Sequence, residues 1–149
     1  MSKAIFARPV STPTQGGARI GVNVVTLHKG KVVIFERHGL PGGAEVGDLW
    51  FPCDDMDYGE APDVAAKRVL RQWGKAEPKE IKLAEVFSMV PPDEEWQLIF
   101  QYVAELKAPP KNGDQVKNIK IIEHAQLPRL IGLLRRNDVK RYLQMTDMS

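Results

Sequence analysis

An acidic loop that runs directly into a short amphipathic helix is the feature that most constrains the fold of this chain. The loop, residues 54–60, contains three aspartates and one glutamate. Pro62 suits the first turn of a helix, and Asp63 complements the helix dipole. Apolar residues then follow at helical spacing, at Ala65, Ala66, Val69, Leu70 and Trp73. Gly74 is predicted to stop the helix, and Pro78 prevents its continuation.

Strand-like segments lie on both sides of this helix. Residues 20–27 and 31–36 are rich in β-branched residues and are separated by a Lys-Gly pair, which predicts a hairpin whose turn uses the glycine for positive φ. Further strands are predicted at 49–52, 81–90, 96–106 and 119–122. Apolar residues in 127–143 recur at helical spacing, with room for a break at Asn137 and Asp138. The predicted order is therefore strands, helix, strands, helix.

The composition indicates one globular domain. A chain of 149 residues with 43% hydrophobic residues can bury one core and has little room for a second domain. We expect residues 18–149 to form this domain, with Trp50 and Trp96 in its core. Residues 1–17 are rich in Ser, Thr, Pro and Gly, which predicts a flexible arm or an edge strand. A formal net charge of +2 is too small to indicate nucleic acid binding by itself.

Cysteine usage and hydropathy bear on the compartment. The single cysteine, Cys53, excludes an intramolecular disulfide, which fits a reducing cytosol. We expect a buried or inert thiol, because no histidine lies close in sequence to activate it. The sequence has neither a signal-peptide core nor a segment of about 20 apolar residues. The prediction is a cytoplasmic protein with no membrane partner.

The acidic loop and the predicted helix resemble the Nudix box, the pattern G-x5-E-x7-R-E-U-x-E-E-x-G-U, in which U is a bulky aliphatic residue. Glu60 and Arg68 occupy the first Glu and the Arg of this pattern. Val69 stands where the pattern has Glu, and Gln72 and Trp73 stand where it has two adjacent Glu residues. The frame of the motif is therefore present, whereas three of its carboxylates are absent.

The resemblance extends along residues 18–145. Residues 49–52, Leu-Trp-Phe-Pro, resemble the W-x-x-P-G-G sequence that leads into the box. Residues 121–128 resemble the closing strand of the family and the start of its final helix. The resemblance implies an α/β (α+β) fold of the Nudix type, in which a mixed β-sheet is sandwiched between helices. By family analogy it also implies a homodimer.

The altered box bears on activity because the Nudix family holds a divalent metal ion with its glutamates. Attack on a diphosphate needs several hard oxygen ligands around Mg²⁺ or Mn²⁺. Valine and indole cannot bind such an ion, and a neutral glutamine oxygen is a poor substitute. The leading hypothesis is a Nudix-fold protein that lacks standard metal-dependent hydrolysis of nucleoside-diphosphate-linked compounds. At most it retains binding of a nucleotide-like or phosphorylated ligand, and no cofactor is expected.

Four residues are candidates for ligand binding. Arg37 and His38 lie at the start of a glycine-rich segment whose counterpart in the family contacts substrate. Arg68 can contact a phosphate or, paired with Glu60, can support the geometry of the loop and the helix. Trp73 can stack on a base or pack into the core.

Two alternatives stay open. An active Nudix pyrophosphohydrolase would use displaced acidic ligands for Mg²⁺ or Mn²⁺, with Glu60 and Asp57 as candidate catalytic residues. The candidate ligands of that site are Asp54, Asp55, Asp57, Glu60 and, on a following strand, Glu85. The other alternative is an RNA- or protein-binding module on the Nudix fold, with single-stranded RNA or a protein as the partner. It is motivated by the basic final helix and by Trp73.

Overall fold

The computed structural model describes residues 18–37, 49–90, 96–113 and 116–148. The elements are β1 (Ala18–His28), β2 (Lys31–Arg37), β3 (Leu49–Trp50), β4 (Cys53–Asp55), α1 (Pro62–Gly74), β5 (Pro78–Met89), β6 (Trp96–Leu106), β7 (Val116–Ile122), β8 (Leu130–Ile131), β9 (Leu134–Arg135) and α2 (Arg136–Thr146). A short 3₁₀ helix, His124–Gln126, precedes β8. The flexible arm or edge strand predicted for residues 1–17 lies outside the described residues.

One mixed sheet forms the centre of the fold. Its strand order is β3-β2-β1-β6-β5, and β4 also pairs with β1 while β7 pairs with β2. Strands β1 and β6 run parallel, whereas the other pairs of this sheet are antiparallel. The predicted β1–β2 hairpin is confirmed. Its two turn residues, Lys29 and Gly30, have φ angles of 51° and 78°, as a tight turn between twisted strands requires.

The two helices pack on opposite faces of this sheet. Alternate residues of β1 point to opposite sides, so Val22 and Val24 join the core cluster that includes helix α1, while Val25 and Leu27 join the cluster under α2. The arrangement confirms the predicted α/β fold, a mixed sheet sandwiched between helices. Neither described helix is long and apolar enough to cross a membrane.

The C-terminal helix begins later than the sequence predicts. Residues 127–143 do not form one helix, because β8 and β9 make a small hairpin and α2 starts only at Arg136. Asn137 and Asp138 lie in the first turn of α2 and not at a break. There the Asp138 carboxylate accepts a hydrogen bond from the Arg135 backbone N–H at 3.0 Å. This hydrogen bond to the side chain of the third helical residue stabilises the start of the helix.

Two glycines allow close approaches that a side chain would prevent. A Cβ on Gly132, which has a φ of +56°, would lie 2.7 Å from the Trp50 ring. A Cβ on Gly74 would lie 2.9 Å from Phe35. Helix α1 ends at Gly74 as predicted, although the residue that adopts the left-handed conformation is the next one, Lys75, with a φ of 51°. Gly74 is needed for packing and not for the turn.

The segment before helix α1 also differs from its prediction. It contains two short strands, β3 paired with β2 and β4 paired with β1. Asp54 and Asp55 therefore lie on a strand, and only residues 56–61 form the connecting loop. Trp50 is buried in the core as predicted. The same prediction for Trp96 is wrong, because that side chain is 45% exposed at the start of β6.

Candidate functional site

Arg68 draws the acidic segment against helix α1. Its Nε donates to Glu60 Oε2 at 2.8 Å, and its Nη2 donates to Glu60 Oε1 at 3.0 Å. The Nη2 group also donates to the Asp55 carbonyl oxygen at 2.8 Å, and Nη1 donates to Asp54 Oδ2 at 3.3 Å. The Asp57 carboxylate lies 3.6 Å from Nε. This bidentate pair and its neighbours hold the loop in place, so most of the donors of Arg68 are used by the protein itself.

The same contacts shift two pKa values. The hydrogen bond from Arg68 lowers the pKa of Glu60, with help from the Asp57 backbone N–H, which donates to Glu60 Oε1 at 2.9 Å. In return, the hydrogen bond with Glu60 raises the pKa of Arg68. The Gln72 side chain completes the group, because its Oε1 accepts from Arg68 Nη1 at 3.2 Å. The pair is therefore ionised at neutral pH.

The three box positions on helix α1 have different environments. Val69 is fully buried and Trp73 is 4% exposed, both in the core on the α1 side, whereas Gln72 is exposed. Trp73 Nε1 donates to the Cys53 carbonyl oxygen at 3.1 Å. Its ring meets that of Phe35 edge-on, with the ring centroids 6.1 Å apart. Trp73 thus packs as a core residue, and its stacking on a ligand stays a prediction.

The acidic residues proposed as displaced metal ligands have protein partners instead. Among the residues that the structure describes, no group of three or more His, Cys, Asp or Glu side chains is placed to hold a metal ion. The Asp55 carboxylate forms an ion pair with Arg19 at 2.8 Å. Glu85 accepts a hydrogen bond from the Tyr142 hydroxyl at 2.6 Å and lies 3.4 Å from Arg141. Glu85 therefore contacts helix α2 and does not join the acidic segment at helix α1.

Arg37, at the end of β2, lies between two indole rings. Its guanidinium carbon is 4.9 Å from the centroid of the Trp73 ring and 5.6 Å from that of Trp50. The side chain is 8% exposed, and its Nε has no hydrogen-bond partner. Burial lowers the pKa of Arg37, while Coulombic attraction to the Cys53 thiolate, where it forms, and to the Asp54 carboxylate acts in the opposite direction. The neighbouring candidate, His38, lies outside the described residues.

Cys53 is a buried thiol on β4. Burial raises the pKa of Cys53 to about 12, and the Arg37 guanidinium offsets only part of this shift. The thiol is therefore protonated at neutral pH and is a poor nucleophile. This agrees with the inert thiol expected from the sequence.

Polar residues on the parallel pair β1 and β6 were not identified by sequence reasoning. Asn23 Nδ2 donates to Gln101 Oε1 at 2.9 Å, and both side chains are buried. Gln97 is fully buried, and neither its Oε1 nor its Nε2 has a hydrogen-bond partner. The sequence does show polar residues at inward positions of otherwise apolar strands. Their burial against each other could not be predicted, because the sequence does not show that β1 pairs with β6.

A basic cavity lies at the start of helix α2. Its volume is about 500 Å³, and it is lined by Arg129, Leu130, Arg135, Arg136 and Asn137. Three guanidinium groups at one opening favour anionic ligands such as phosphate. Arg129 lies just before β8, and the other residues come from the β8–β9 hairpin and the first turn of α2, so the helix predicted for residues 127–143 did not reveal the cavity.

The fold is that of Nudix proteins of known structure. It is similar to a MutT Nudix hydrolase from Burkholderia pseudomallei, with a TM-score of 0.71 and 16% sequence identity over 84% of this chain and 98% of that one. It is also similar to the Nudix domain of Shewanella oneidensis NrtR in complex with ADP ribose, with a TM-score of 0.65 and 16% identity over 92% of both chains.

A third similar structure is a Nudix hydrolase from Nitrosomonas europaea, with a TM-score of 0.65 and 12% identity over 88% of this chain and 89% of that one. No protein-family model matches the sequence, and no curated protein matches it. At such low identities the similarities establish the Nudix fold of the chain. The chemistry must be argued from its own residues.

Proposed function

We propose that this Nudix-fold protein binds a nucleotide-like or phosphorylated ligand and does not carry out standard metal-dependent hydrolysis. The observation that carries the proposal is the composition of helix α1 at three positions. Val69 and Trp73 are buried in the core, and Gln72 accepts a hydrogen bond from Arg68. Hard divalent ions bind clusters of carboxylate and other oxygen ligands, which this surface of the helix lacks.

The remaining acids support the same proposal. Arg68 contacts the carboxylates of Glu60, Asp54 and Asp57. An ion at this position would have to compete with a guanidinium that already forms two hydrogen bonds to Glu60. Because like charges repel, the same cation that stabilises the loop opposes the binding of a metal ion there.

Arg37 is the proposed contact for the anionic part of the ligand. Its two indole neighbours stabilise a cation but use none of its N–H groups. A planar guanidinium presents five N–H donors in a geometry that matches phosphate oxygens. The Shewanella oneidensis domain of the same fold was solved with ADP ribose, which makes nucleoside diphosphates reasonable first probes.

A turnover assay tests the absence of hydrolysis. The purified full chain is incubated with ADP-ribose and a panel of nucleoside diphosphate derivatives, with Mg²⁺ or Mn²⁺ and, in parallel, with EDTA. The expected result is equal, background release in all samples, together with ligand binding by calorimetry that persists in EDTA. Turnover that disappears with the chelator would overturn the proposal.

Such turnover would support the alternative of an active pyrophosphohydrolase with displaced ligands. In that case Asp57→Ala and Glu60→Gln should abolish both turnover and Mn²⁺ binding. Because Glu60 also supports the loop, thermal unfolding of both variants must accompany the assay. Equal melting temperatures with lost turnover would assign these residues to catalysis.

The basic cavity at the start of helix α2 favours the RNA-binding alternative as a second candidate. Three arginines line it, Arg129, Arg135 and Arg136. Fluorescence anisotropy measures the affinity for single-stranded RNA, and low ionic strength is used because electrostatic attraction is then greatest. An absence of binding under these conditions would exclude the RNA-binding alternative. A protein partner, a homodimer and a cytoplasmic location are further proposals that rest on the resemblance and composition.

A further inference from the structure

A buried polar patch lies on one face of strands β1 and β6. In the parallel register Arg19 is opposite Gln97, and Asn23 is opposite Gln101. Residues four apart on a strand point to the same side, so the four side chains share a face. Leu27 continues that face beneath helix α2. All four polar residues are at most 2% exposed, which is unusual for such side chains.

The patch contains one amide whose hydrogen bonds are unmade. Gln101 accepts from Asn23 Nδ2 at 2.9 Å and donates to the Asn23 carbonyl oxygen at 3.1 Å. Arg19 donates to Asp55 at 2.8 Å. Gln97 differs, because its oxygen and its nitrogen are both buried without a partner. Since each unsatisfied buried group costs about 1–3 kcal/mol, an amide at this position calls for a ligand that satisfies it.

We infer that Gln97 recognises the base of the nucleotide-like ligand, through an acceptor and a donor on one edge of the ring. A primary amide offers both at once, and glutamine makes this kind of paired contact with the N6 and N7 atoms of adenine. The inference rests on the proposed function and names its recognition element. The Asn23–Gln101 pair and the Arg19–Asp55 pair hold the surroundings of the amide in place.

Gln97 lies near the N-terminal end of strand β6, and a ligand could approach it from that end of the sheet. Gln97 is the second residue of β6, and the first, Trp96, is 45% exposed. Because Gln97 itself is fully buried, the side chains that cover it must move apart for a base to bind. The base then makes the hydrogen bonds that the Gln97 amide lacks.

Calorimetry in EDTA tests the inference with the full chain. The ligands are ADP, GDP, UDP, CDP and inorganic pyrophosphate, which has no base. At least one nucleotide should bind the wild type more tightly than pyrophosphate does. Gln97→Leu should weaken that nucleotide roughly 10- to 100-fold and leave pyrophosphate affinity unchanged. Gln144→Leu, the same substitution on the exposed surface of helix α2, is the matched control and should change neither affinity.

Thermal unfolding without ligand separates recognition from a structural role. Gln97→Leu removes two unsatisfied groups, so its melting temperature should equal or exceed that of the wild type. Gln101→Leu should lower it, because the Asn23 side chain loses its acceptor. A lower melting temperature for Gln97→Leu with unchanged nucleotide affinity would overturn the inference and indicate an amide held by buried water. Gln97→Met provides the same comparison if the leucine variant does not fold.

Two outcomes distinguish this inference from the proposed function. If all four nucleotides bind no more tightly than pyrophosphate, the role of Gln97 is wrong, while ligand binding without hydrolysis stands. If neither the nucleotides nor pyrophosphate bind, or if hydrolysis depends on the metal, the proposed function fails first.

Discussion

Arg68 and Arg37 are both largely buried, yet their guanidinium groups have opposite surroundings. Arg68 contacts three carboxylates, a backbone carbonyl and an amide. Arg37 lies against the rings of Trp50 and Trp73, and its Nε has no partner. The contacts of Arg68 therefore hold the loop and the helix together, whereas the indole contacts of Arg37 leave its Nε–H without a hydrogen-bond partner. The comparison distinguishes an arginine whose hydrogen bonds hold the acidic segment against helix α1 from one whose Nε–H has no hydrogen-bond partner.

The largest effect is expected from Arg68→Met. The variant leaves Glu60 and Asp54 close together without their shared cation, so the free energy of unfolding should fall by about 3 kcal/mol. This is the lower end for a broken buried pair, because the Arg68 side chain is 18% exposed. Urea denaturation at pH 7 measures the loss. A change below about 1 kcal/mol would show that Arg68 is not the centre of the loop.

Arg37→Met is expected to leave stability nearly unchanged and to weaken ligand binding. Removing a buried cation that makes no ion pair with a described residue should change the free energy of unfolding by less than about 1 kcal/mol, the scale of its cation–π contacts. Affinity for pyrophosphate in EDTA should fall roughly 10- to 100-fold, as for the loss of charge-assisted hydrogen bonds. Arg71→Met, on the exposed surface of helix α1, is the matched control. Unchanged pyrophosphate affinity in Arg37→Met would remove the distinction between the two arginines.

Lowering the pH should weaken the Glu60–Arg68 pair and reduce the free energy of unfolding, by less than the Arg68→Met substitution does. Arg68 lowers the pKa of Glu60 in the folded protein, so this carboxylate contributes stability above its unfolded pKa near 4.5. The contribution is lost as the pH falls through the lower, folded value. Urea midpoints of the wild type should therefore decline more steeply below pH 4.5 than those of Glu60→Gln. Parallel declines would mean that Glu60 does not carry this dependence.

The parts of the fold that are local in sequence could be predicted. Helix α1 follows from Pro62 and its apolar spacing, and the β1–β2 hairpin follows from Lys29 and Gly30. The late start of α2 could not be predicted, because residues such as Ile131 and Leu134 are buried under the helix from a hairpin and give the same apolar spacing. Helical periodicity alone does not distinguish these two ways of burying a side chain.

The candidate site was only partly predictable for a related reason. The Glu60–Arg68 pair lies within one continuous motif, and the resemblance anticipated its supporting role. The environment of Arg37 combines β2, β3 and α1, so the sequence could nominate the residue but not the indoles around it. The unpartnered amide of Gln97 depends on strand β1, which is distant in sequence. Burial of a polar group becomes visible only when both strands are placed.

The parallel pairing of β1 with β6 also constrains how the chain acquires its fold. Asn23 and Gln101, which face each other across this pair, are 78 residues apart. During synthesis, β1 cannot pair with β6 until most of the chain has been made. Closing so long a loop is also entropically costly. A nascent chain that ends before Trp96 can pair β1 with β2 and β4 but lacks the strand that pairs with β1 in parallel. The parallel pair therefore forms only after most of the chain has been synthesised.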